Sequence, residues 1–427
     1  MTKQTAFSTA NNLVWHPYTQ MQNAVPIFIE RGKDEFLYDK DGTEYIDAVA
    51  SWWTNLHGHA HPHIATKIAE QAQKLEHVIF AGFTHQPAEE LAAKLLQRIP
   101  YHSKIFYSDN GSTAVEVALK MVLQYFSNRG EERRKIIAFK DAYHGDTFGA
   151  MSVSARGIFT NSFQRLLFDV EFIETPTPGN EQKAIEQLAQ LIRKNRDDVA
   201  AFIFEPLVLG SGGMLMYGEK VLDELIALCR KHNVLTIADE VMTGFGRTGK
   251  FLATDYCTNK PDIICLSKGI TGGFMPFAAT TCAGFIYEAF LSDDKAKMFF
   301  HGHSYTANPL GCATGIASLE VFERENTFDK IKGIEISHAA FKEKISKQPL
   351  VKDVRQRGTI IAIELKTGET TGYLNNVRDK AYSFFIARKV ILRPLGNVVY
   401  ILPPYCISKE SLEKVYRVIE EFLETAK

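Results

Sequence analysis

The sequence predicts an α/β protein: a large domain on a mostly parallel sheet, and a smaller α+β domain drawn from both ends of the chain. Three observations carry this prediction. Between residues 105 and 266, apolar runs of strand length alternate with amphipathic stretches of helix length, the rhythm of parallel crossovers. Before residue 54 the chain holds short β-rich pieces around the turn pair Asp41-Gly42. After about residue 325 strands and helices mix in a different order. The expected boundaries are 55–320 for the large domain, and 1–54 with 321–427 for the small one.

The elements follow in order. Residues 1–14 are polar and without a clear period, a frayed terminus or a short helix. Short strands are expected at 27–31, 35–39 and 43–47. Helical patterns cover 62–75 and 87–98, each with a proline near its start. A strand at 105–108 runs into Asp109-Asn110-Gly111-Ser112. There Thr113-x-x-Glu116 reads as a capping box for a helix with Ala114, Val117, Ala118, Met121 and Val122 on its apolar face. Strands are then expected at 136–139, 200–204, 234–238 and 263–266, with helices at 181–194 and 219–232 between them. A helix covers 311–325. Strands near 351–354 and 359–365 and helices at 378–389 and 408–425 complete the chain, with two more strands flanking the turn Pro394-Leu395-Gly396.

Composition narrows the function classes. The 427 residues carry 49 basic and 50 acidic side chains, a formal charge of −1, so no broad field draws the chain to nucleic acid or an anionic membrane. No apolar run approaches the ~18 residues of a spanning helix, and the first residues lack a signal-peptide core. The six cysteines form no C-x-x-C pair and mostly sit in apolar surroundings, which fits free thiols in a reducing cytoplasm. His57, His59, His61 and His63 alternate, but glycine and proline interrupt the run. They are read as a loop with separate roles, and no metal is expected.

The chemistry concentrates at strand ends. Asp239 and Lys268 each close an apolar run and are followed by glycines, at the sheet edge where open α/β sheets bind ligands. Either alone would pass as an ordinary strand-end ion pair. Together they suit pyridoxal phosphate (PLP): lysine forms a Schiff base with its aldehyde, and an acid keeps the ring nitrogen protonated. A carboxylate facing that pyridinium gives roughly 4 kcal/mol of attraction at an effective dielectric near 20. Gly111 and Ser112 open a helix whose free N–H groups make a phosphate site. Tyr143, past the 136–139 strand, is either core or a surface to stack on a flat ring. If Trp52 and Trp53 lie on a strand they face opposite ways, which leaves core packing or a substrate platform open. Arg393 is either a surface arginine or the bidentate holder of a carboxylate. Glu205 also stands at the ligand edge, in a supporting role.

The run Asp239-Glu-Val-x-x-Gly-x-Gly-Arg247-x-Gly, followed by Ser267-Lys268-Gly-x-x-Gly-Gly, resembles the signature of class III PLP-dependent aminotransferases. The resemblance extends from about Trp15 to Pro404. It implies the PLP-dependent transferase fold of type I, with Lys268 bonded to the cofactor, Asp239 on its ring nitrogen and Tyr143 stacked on the ring. It also implies Gly111 and Ser112 at the phosphate, and a homodimer with shared active sites. In such a dimer Gly302 lies near substrate and His303 with Ser304 approaches the neighbouring subunit's phosphate; some relatives have Pro-Thr at these last two positions. Four features narrow the substrates: Trp15-His-Pro-Tyr18-Thr, Trp52-Trp53 with His57-Gly58, Tyr143-His-Gly-Asp-Thr-Phe-Gly-Ala-Met-Ser, and Leu392-Arg393-Pro-Leu-Gly with Pro403-Pro404-Tyr405. They resemble the members that aminate 8-amino-7-oxononanoate from S-adenosylmethionine. By that resemblance Tyr18 stacks on the adenine, Trp52 and Trp53 wall the apolar chain, and Arg393 receives the keto acid's carboxylate. Lysine as donor, or another ω-amine as substrate, are the alternatives within the family.

Overall fold

The computed structural model describes residues 13–23, 25–368 and 371–425. Residues 1–12 of the polar N-terminal stretch lie outside the described residues. In chain order the strands are β1 Ile29–Lys33, β2 Phe36–Asp39, β3 Glu44–Asp47, β4 Lys104–Ser108, β5 Lys135–Phe139, β6 Val170–Ile173, β7 Val199–Phe204 and β8 Val208–Leu209. They continue as β9 Leu215–Met216, β10 Leu235–Asp239, β11 Ile263–Leu266, β12 Ala278–Cys282, β13 Val351–Arg357, β14 Ile360–Leu365, β15 Val390–Ile391 and β16 Val398–Ile401.

A seven-stranded sheet in the order β4-β12-β11-β10-β7-β5-β6 forms the centre. Every neighbouring pair is parallel except those involving β12, which runs antiparallel to both β11 and β4. Its inner strands are covered on both faces, which is why they read as unbroken apolar runs. Within β5 and β7, Ile137, Phe139, Phe202 and Phe204 enter one core, while Ile136, Ala138, Ala201 and Ile203 enter the other. The helix Glu219–Lys231 packs Leu222, Leu225 and Ile226 into the first, and the helix Gly111–Asn128 packs Val115, Val117, Ala118 and Val122 into the second. Because β12 is reversed, its entry lies at the same edge as the exits of β4, β5, β7, β10 and β11. Six loops come together at that edge, those of the five exits and of the β12 entry, with the β6 exit at the sheet's margin.

Two smaller sheets flank this centre. One has the order β1-β2-β3-β15, so the N-terminal hairpins are joined by a strand from near the C-terminus, β15 running parallel to β3. The other is β13-β14-β16, antiparallel throughout. The strands on either side of Arg393 therefore enter different sheets instead of pairing with each other. The local turn is Leu395–Val398, closed by reciprocal backbone hydrogen bonds of 2.9 and 3.1 Å. Helices Pro309–Arg324, Thr327–Ile345, Val377–Ala387 and Lys409–Thr425 complete the fold.

Two local expectations are corrected. The helix after β4 begins at Gly111 with Asn110 as its N-cap. Asn110 Oδ1 accepts the Thr113 N–H (3.0 Å) and Thr113 Oγ1 accepts the Asn110 N–H (3.1 Å). Thr113 is thus the third helical residue of the box, and Glu116 turns away to accept from Thr147 Oγ1 (2.5 Å) and the Gly149 N–H (2.7 Å). Trp52 and Trp53 stand on a kinked single turn, Ala50–Trp53, not on a strand; Ala50, Ser51 and Trp53 have φ of 48°, 61° and 67°. The two indoles still part company. Trp53 is buried, its Nε1–H donating to Tyr400 Oη at 3.0 Å, and Trp52 is 37% exposed.

The four alternating histidines have four separate partners. His57 is hydrogen-bonded to Ser318 (3.0 Å), His59 to Asp47 (2.9 Å), His61 to Glu325 (2.8 Å) and His63 to Glu320 (2.6 Å). All six cysteines are free thiols. Among the described residues no helix is long and apolar enough to cross a membrane.

Candidate active site

The shared edge of the central sheet encloses a cavity of about 660 Å³. Asp109 to Ser112 come from the β4 exit, Tyr143 to Thr147 from β5, and Glu205 from β7. Asp239, Val241 and Met242 come from β10, Ser267 and Lys268 from β11, and Gly273 to Phe277 from the approach to β12. Residues far apart in the sequence meet here because parallel strands deliver their ends to one side.

Asp239 is 5% exposed, and its Oδ2 lies 2.7 Å from Nδ1 of the fully buried His144 side chain. Its Oδ1 accepts the Val241 N–H at 3.1 Å. Nε2 of His144 is buried with no hydrogen-bond partner among the described residues. In the sequence His144 stands out only as the second residue of the motif that opens at Tyr143, with no role of its own.

Lys268 has φ 44°, in the left-handed region costly for a non-glycine residue, and it opens a short turn closed by Gly272 and Gly273. Its Nζ stands 4.8 Å from the centre of the Trp53 ring. Burial lowers the ammonium's pKa, partly opposed by Asp239 and Glu205. Glu205 accepts the N–H groups of Tyr143 and Gly210, each at 2.9 Å, and burial raises its carboxyl to about 7. The supporting role expected of it therefore has a geometry: it fixes the Tyr143 backbone.

One end of the cavity lies at the start of the helix Gly111–Asn128. The N–H groups of Gly111 and Ser112 have no acceptor among the described residues, and Ser112 Oγ takes the Thr147 N–H at 3.0 Å. Gly145 (φ 129°) backs onto this serine; a Cβ there would lie 2.3 Å from Ser112 Oγ. Arg247 anchors the loop after Asp239. It is buried and donates to the carbonyls of Pro403 (2.6 Å) and Asn55 (2.9 Å).

The remaining predicted residues lie outside this cavity. Tyr18 is half-exposed, 3.3 Å from Tyr143 Oη, and donates to Asp146. Its ring meets Trp52 edge-on at 5.6 Å, and the Arg393 guanidinium lies 4.5 Å over Trp52. Arg393 makes no ion pair among the described residues. Gly302 and Ser304 are exposed, and His303 stands 3.4 Å from Asp109 at the cavity's rim. Within one chain these three do not join Lys268.

The donor set suits PLP. An acid braced by a buried imidazole, an amine with a lowered pKa, an aromatic wall and a helix N-terminus with free N–H groups converge on one space. Residues 18–423 match the family model for aminotransferase class-III. The chain belongs to the class III aminotransferases. Among curated members of the family, adenosylmethionine-8-amino-7-oxononanoate aminotransferase of Synechococcus elongatus is 47% identical over 421 residues, covering 96% of this chain and 98% of the relative. The enzyme of that name from Geobacter sulfurreducens is 39% identical, covering 96% of each. The crystal structure of the Methanocaldococcus jannaschii enzyme of that name superposes with a TM-score of 0.90 at 37% identity, over 96% of this chain and 97% of that one. A PLP-bound amine transaminase from an uncultivated Pseudomonas species superposes at 0.92 with 28% identity, over 97% and 98%. The type I transferase fold expected from the motifs is therefore the fold of this aminotransferase.

Proposed function

We propose that this PLP-dependent transaminase converts 8-amino-7-oxononanoate to 7,8-diaminononanoate, a step of biotin synthesis, taking the amino group from S-adenosylmethionine. The observation that carries the reading is the convergence of the Asp239–His144 pair, Lys268 and the Gly111–Ser112 helix start on one cavity, in a chain whose curated relatives bear that activity in their names.

Lys268 is the residue that binds the cofactor covalently, Asp239 the partner of its ring nitrogen, and Tyr143 the ring's aromatic cover. Gly111 and Ser112 supply hydrogen-bond donors to its phosphate, and Thr147 holds Ser112 in place through its N–H. When bound, PLP supplies an electron sink that makes the C–H bond beside the donor's amine acidic. The chain's own part is proton management and orientation. Burial destabilises the Lys268 ammonium and so favours the neutral amine, the form that accepts the proton from the donor carbon and returns it to the cofactor side. His144 and the Val241 N–H both face Asp239 and hold its carboxyl group toward the cavity. Trp53 lines the cavity under Lys268, and Trp52 continues that apolar wall toward Arg393, whose guanidinium takes the acceptor's distal carboxylate. Both substrates use the site in turn, a ping-pong cycle.

The reading includes a homodimer acting in the cytoplasm, with the division 55–320 and 1–54 plus 321–427 for its domains. Gly302 and Ser304 are exposed, as are their chain neighbours Phe300 and Tyr305; the Tyr305 ring lies 5.1 Å from that of His77, in a segment that also exposes Ile79 and Phe83, apolar side chains that a second copy would cover. In that arrangement Gly302, His303 and Ser304 serve the neighbouring site.

A single-turnover experiment tests the function. The holoenzyme is mixed with S-adenosylmethionine, and separately with lysine, and the cofactor's absorbance is followed. Conversion by S-adenosylmethionine is the expected result. Conversion by lysine alone would replace the donor, and conversion by neither would sink the reading.

A further inference from the structure

A second cavity, about 250 Å³, adjoins the first and shares Tyr143, Gly145 and Asp146 with it. Its walls come from three separate places: Phe159 in the loop after the Tyr143 motif, Ser211 and Gly212 in the glycine-rich loop after β8, and Tyr373 with Leu395 from the C-terminal part of the chain. The Phe159 and Tyr373 rings meet edge to face at 5.0 Å. Phe159 also touches Tyr18 (5.8 Å) and Tyr143 (6.1 Å), so the aromatic surface runs without a break from the cofactor cavity into this compartment.

The charges divide the two directions. Toward Trp52 the route ends at Arg393, a cation without an ion-pair partner among the described residues. The second compartment has no lysine, arginine or histidine among its lining residues; its ionisable groups are Asp141, Asp146 and the two phenols. Arg378 lies over the Tyr373 ring at 4.5 Å and is not part of the lining. A chain ending in a carboxylate is repelled from such a space. A flat, uncharged heteroaromatic group carrying N–H donors is welcome, since it has rings to lie against and carboxylates to donate to.

The loop carrying Tyr373 is not loosely placed. A Cβ on Gly396 would lie 1.7 Å from the Gly372 carbonyl oxygen, so this loop is seated directly on the turn that follows Arg393. Asn375 donates its N–H back to Gly372 O at 3.0 Å. The same seam thus carries the carboxylate holder on one side and the aromatic wall on the other.

We propose that this side compartment takes the purine end of the amino donor, with Phe159 and Tyr373 as the residues that select an adenosyl group, while the acceptor's carboxylate goes to Arg393. The inference rests on the donor assignment made above. It places the two substrates in different arms of one site, joined at Lys268. A pocket that must accept two unlike molecules in turn can do so without compromise when each has its own arm.

The test uses the holoenzyme and two readouts. Adenosine, which has no amine to transfer, is titrated into wild type, Phe159→Ala and Tyr373→Ala, and its dissociation constant is measured by calorimetry. The two half-reactions are then compared by stopped flow in the same three proteins. Expected is a loss of about tenfold in adenosine affinity in each variant, the amount one aromatic–base contact carries. The donor half-reaction should lose about tenfold more kcat/KM than the acceptor half-reaction. Phe159→Tyr, which keeps a ring, should restore most of both. Unchanged adenosine binding in both alanine variants, or equal losses in the two half-reactions, overturns the proposal. A wild-type enzyme that ignores S-adenosylmethionine sinks the donor assignment instead, and the adenosine titration still decides whether the compartment binds a purine.

Discussion

His144→Phe isolates the contribution of the imidazole behind Asp239. The ring is fully buried, so phenylalanine keeps most of its volume while removing the 2.7 Å contact to Asp239 Oδ2. Asp239 is left with the Val241 N–H as its remaining donor, at 3.1 Å. A hydrogen bond to a charged group is worth about 1.5–3 kcal/mol net, or roughly 10- to 150-fold in an equilibrium or rate constant. The carboxylate's grip on the cofactor's ring nitrogen should weaken by that factor. Because donor and acceptor half-reactions share this nitrogen, both should fall together, unlike the one-sided losses expected from substrate-contacting residues. The assay is a PLP titration of the apoprotein by absorbance, followed by stopped-flow measurement of each half-reaction, with urea denaturation confirming a folded variant. His144→Gln keeps a donor on a similar reach and should recover part of the loss. A His144→Phe protein that is folded, binds PLP and turns over within twofold of wild type would refute the argument.

Three further outcomes are expected. Lys268→Ala should lower turnover about ten-thousand-fold or more, since one residue is both covalent anchor and proton carrier. Borohydride should no longer fix the cofactor to the chain, and residual turnover near wild type would contradict the assignment. Arg393→Ala should cost the acceptor half-reaction roughly 30-fold or more in kcat/KM, about 2 kcal/mol for a charged pair at a half-exposed guanidinium; the donor half-reaction should suffer less, and equal losses would count against it. Glu205→Gln tests linkage. Burial raises this carboxyl to about 7 in the folded protein, against about 4.3 when unfolded. Between those values the native state holds the extra proton, so the group's contribution to stability is greatest below about pH 4 and declines as pH rises to 7. The decline is on the order of 3 kcal/mol. Urea denaturation of the apoprotein at pH 5 and pH 7.5 should show a smaller difference in the glutamine variant, and an unchanged difference would show that Glu205 is ionised throughout.

The sequence made visible what is local. Ile263–Leu266 and Glu181–Lys194 have the bounds their residue patterns predict, because a strand buried on both faces must be apolar throughout and a surface helix must be apolar on one side. It was less informative where two candidate signals overlap. Asn110 and Thr113 are both good capping residues three apart, and the choice between them depends on whether Gly111 and Ser112 are helical. The Trp52–Trp53 turn has positive φ at residues with no preference for it, so only the surrounding packing could impose it. Strand runs also do not name their partners: β15 pairs with β3, close to the other end of the chain, and this moved Arg393 from an expected hairpin to the seam between two sheets. His144 was in plain sight beside Tyr143, but its role depends on Asp239, 95 positions away, at the end of another strand.

The adjacent acids Asp239 and Glu240 show how the fold divides labour between like residues. Successive side chains leaving a strand point to opposite sides. Asp239 therefore faces the cavity, where His144 and one backbone N–H leave it room for a ligand. Glu240 faces inward, fully buried, and its oxygens accept from Thr243 Oγ1 (2.5 Å), the Ala253 N–H (3.0 Å), and the Thr254 N–H and Oγ1 (2.8 and 2.9 Å). With four donors it has little capacity left for anything else, and burial still raises its carboxyl to about 7. Its work is to close the loop 241–252, and that loop also carries Arg247, which is pinned to the Asn55 and Pro403 carbonyls. The first acid is thus free to act because the second fixes the loop that leaves it, a division that the order Asp-Glu at the end of a parallel strand imposes and the reverse order would invert.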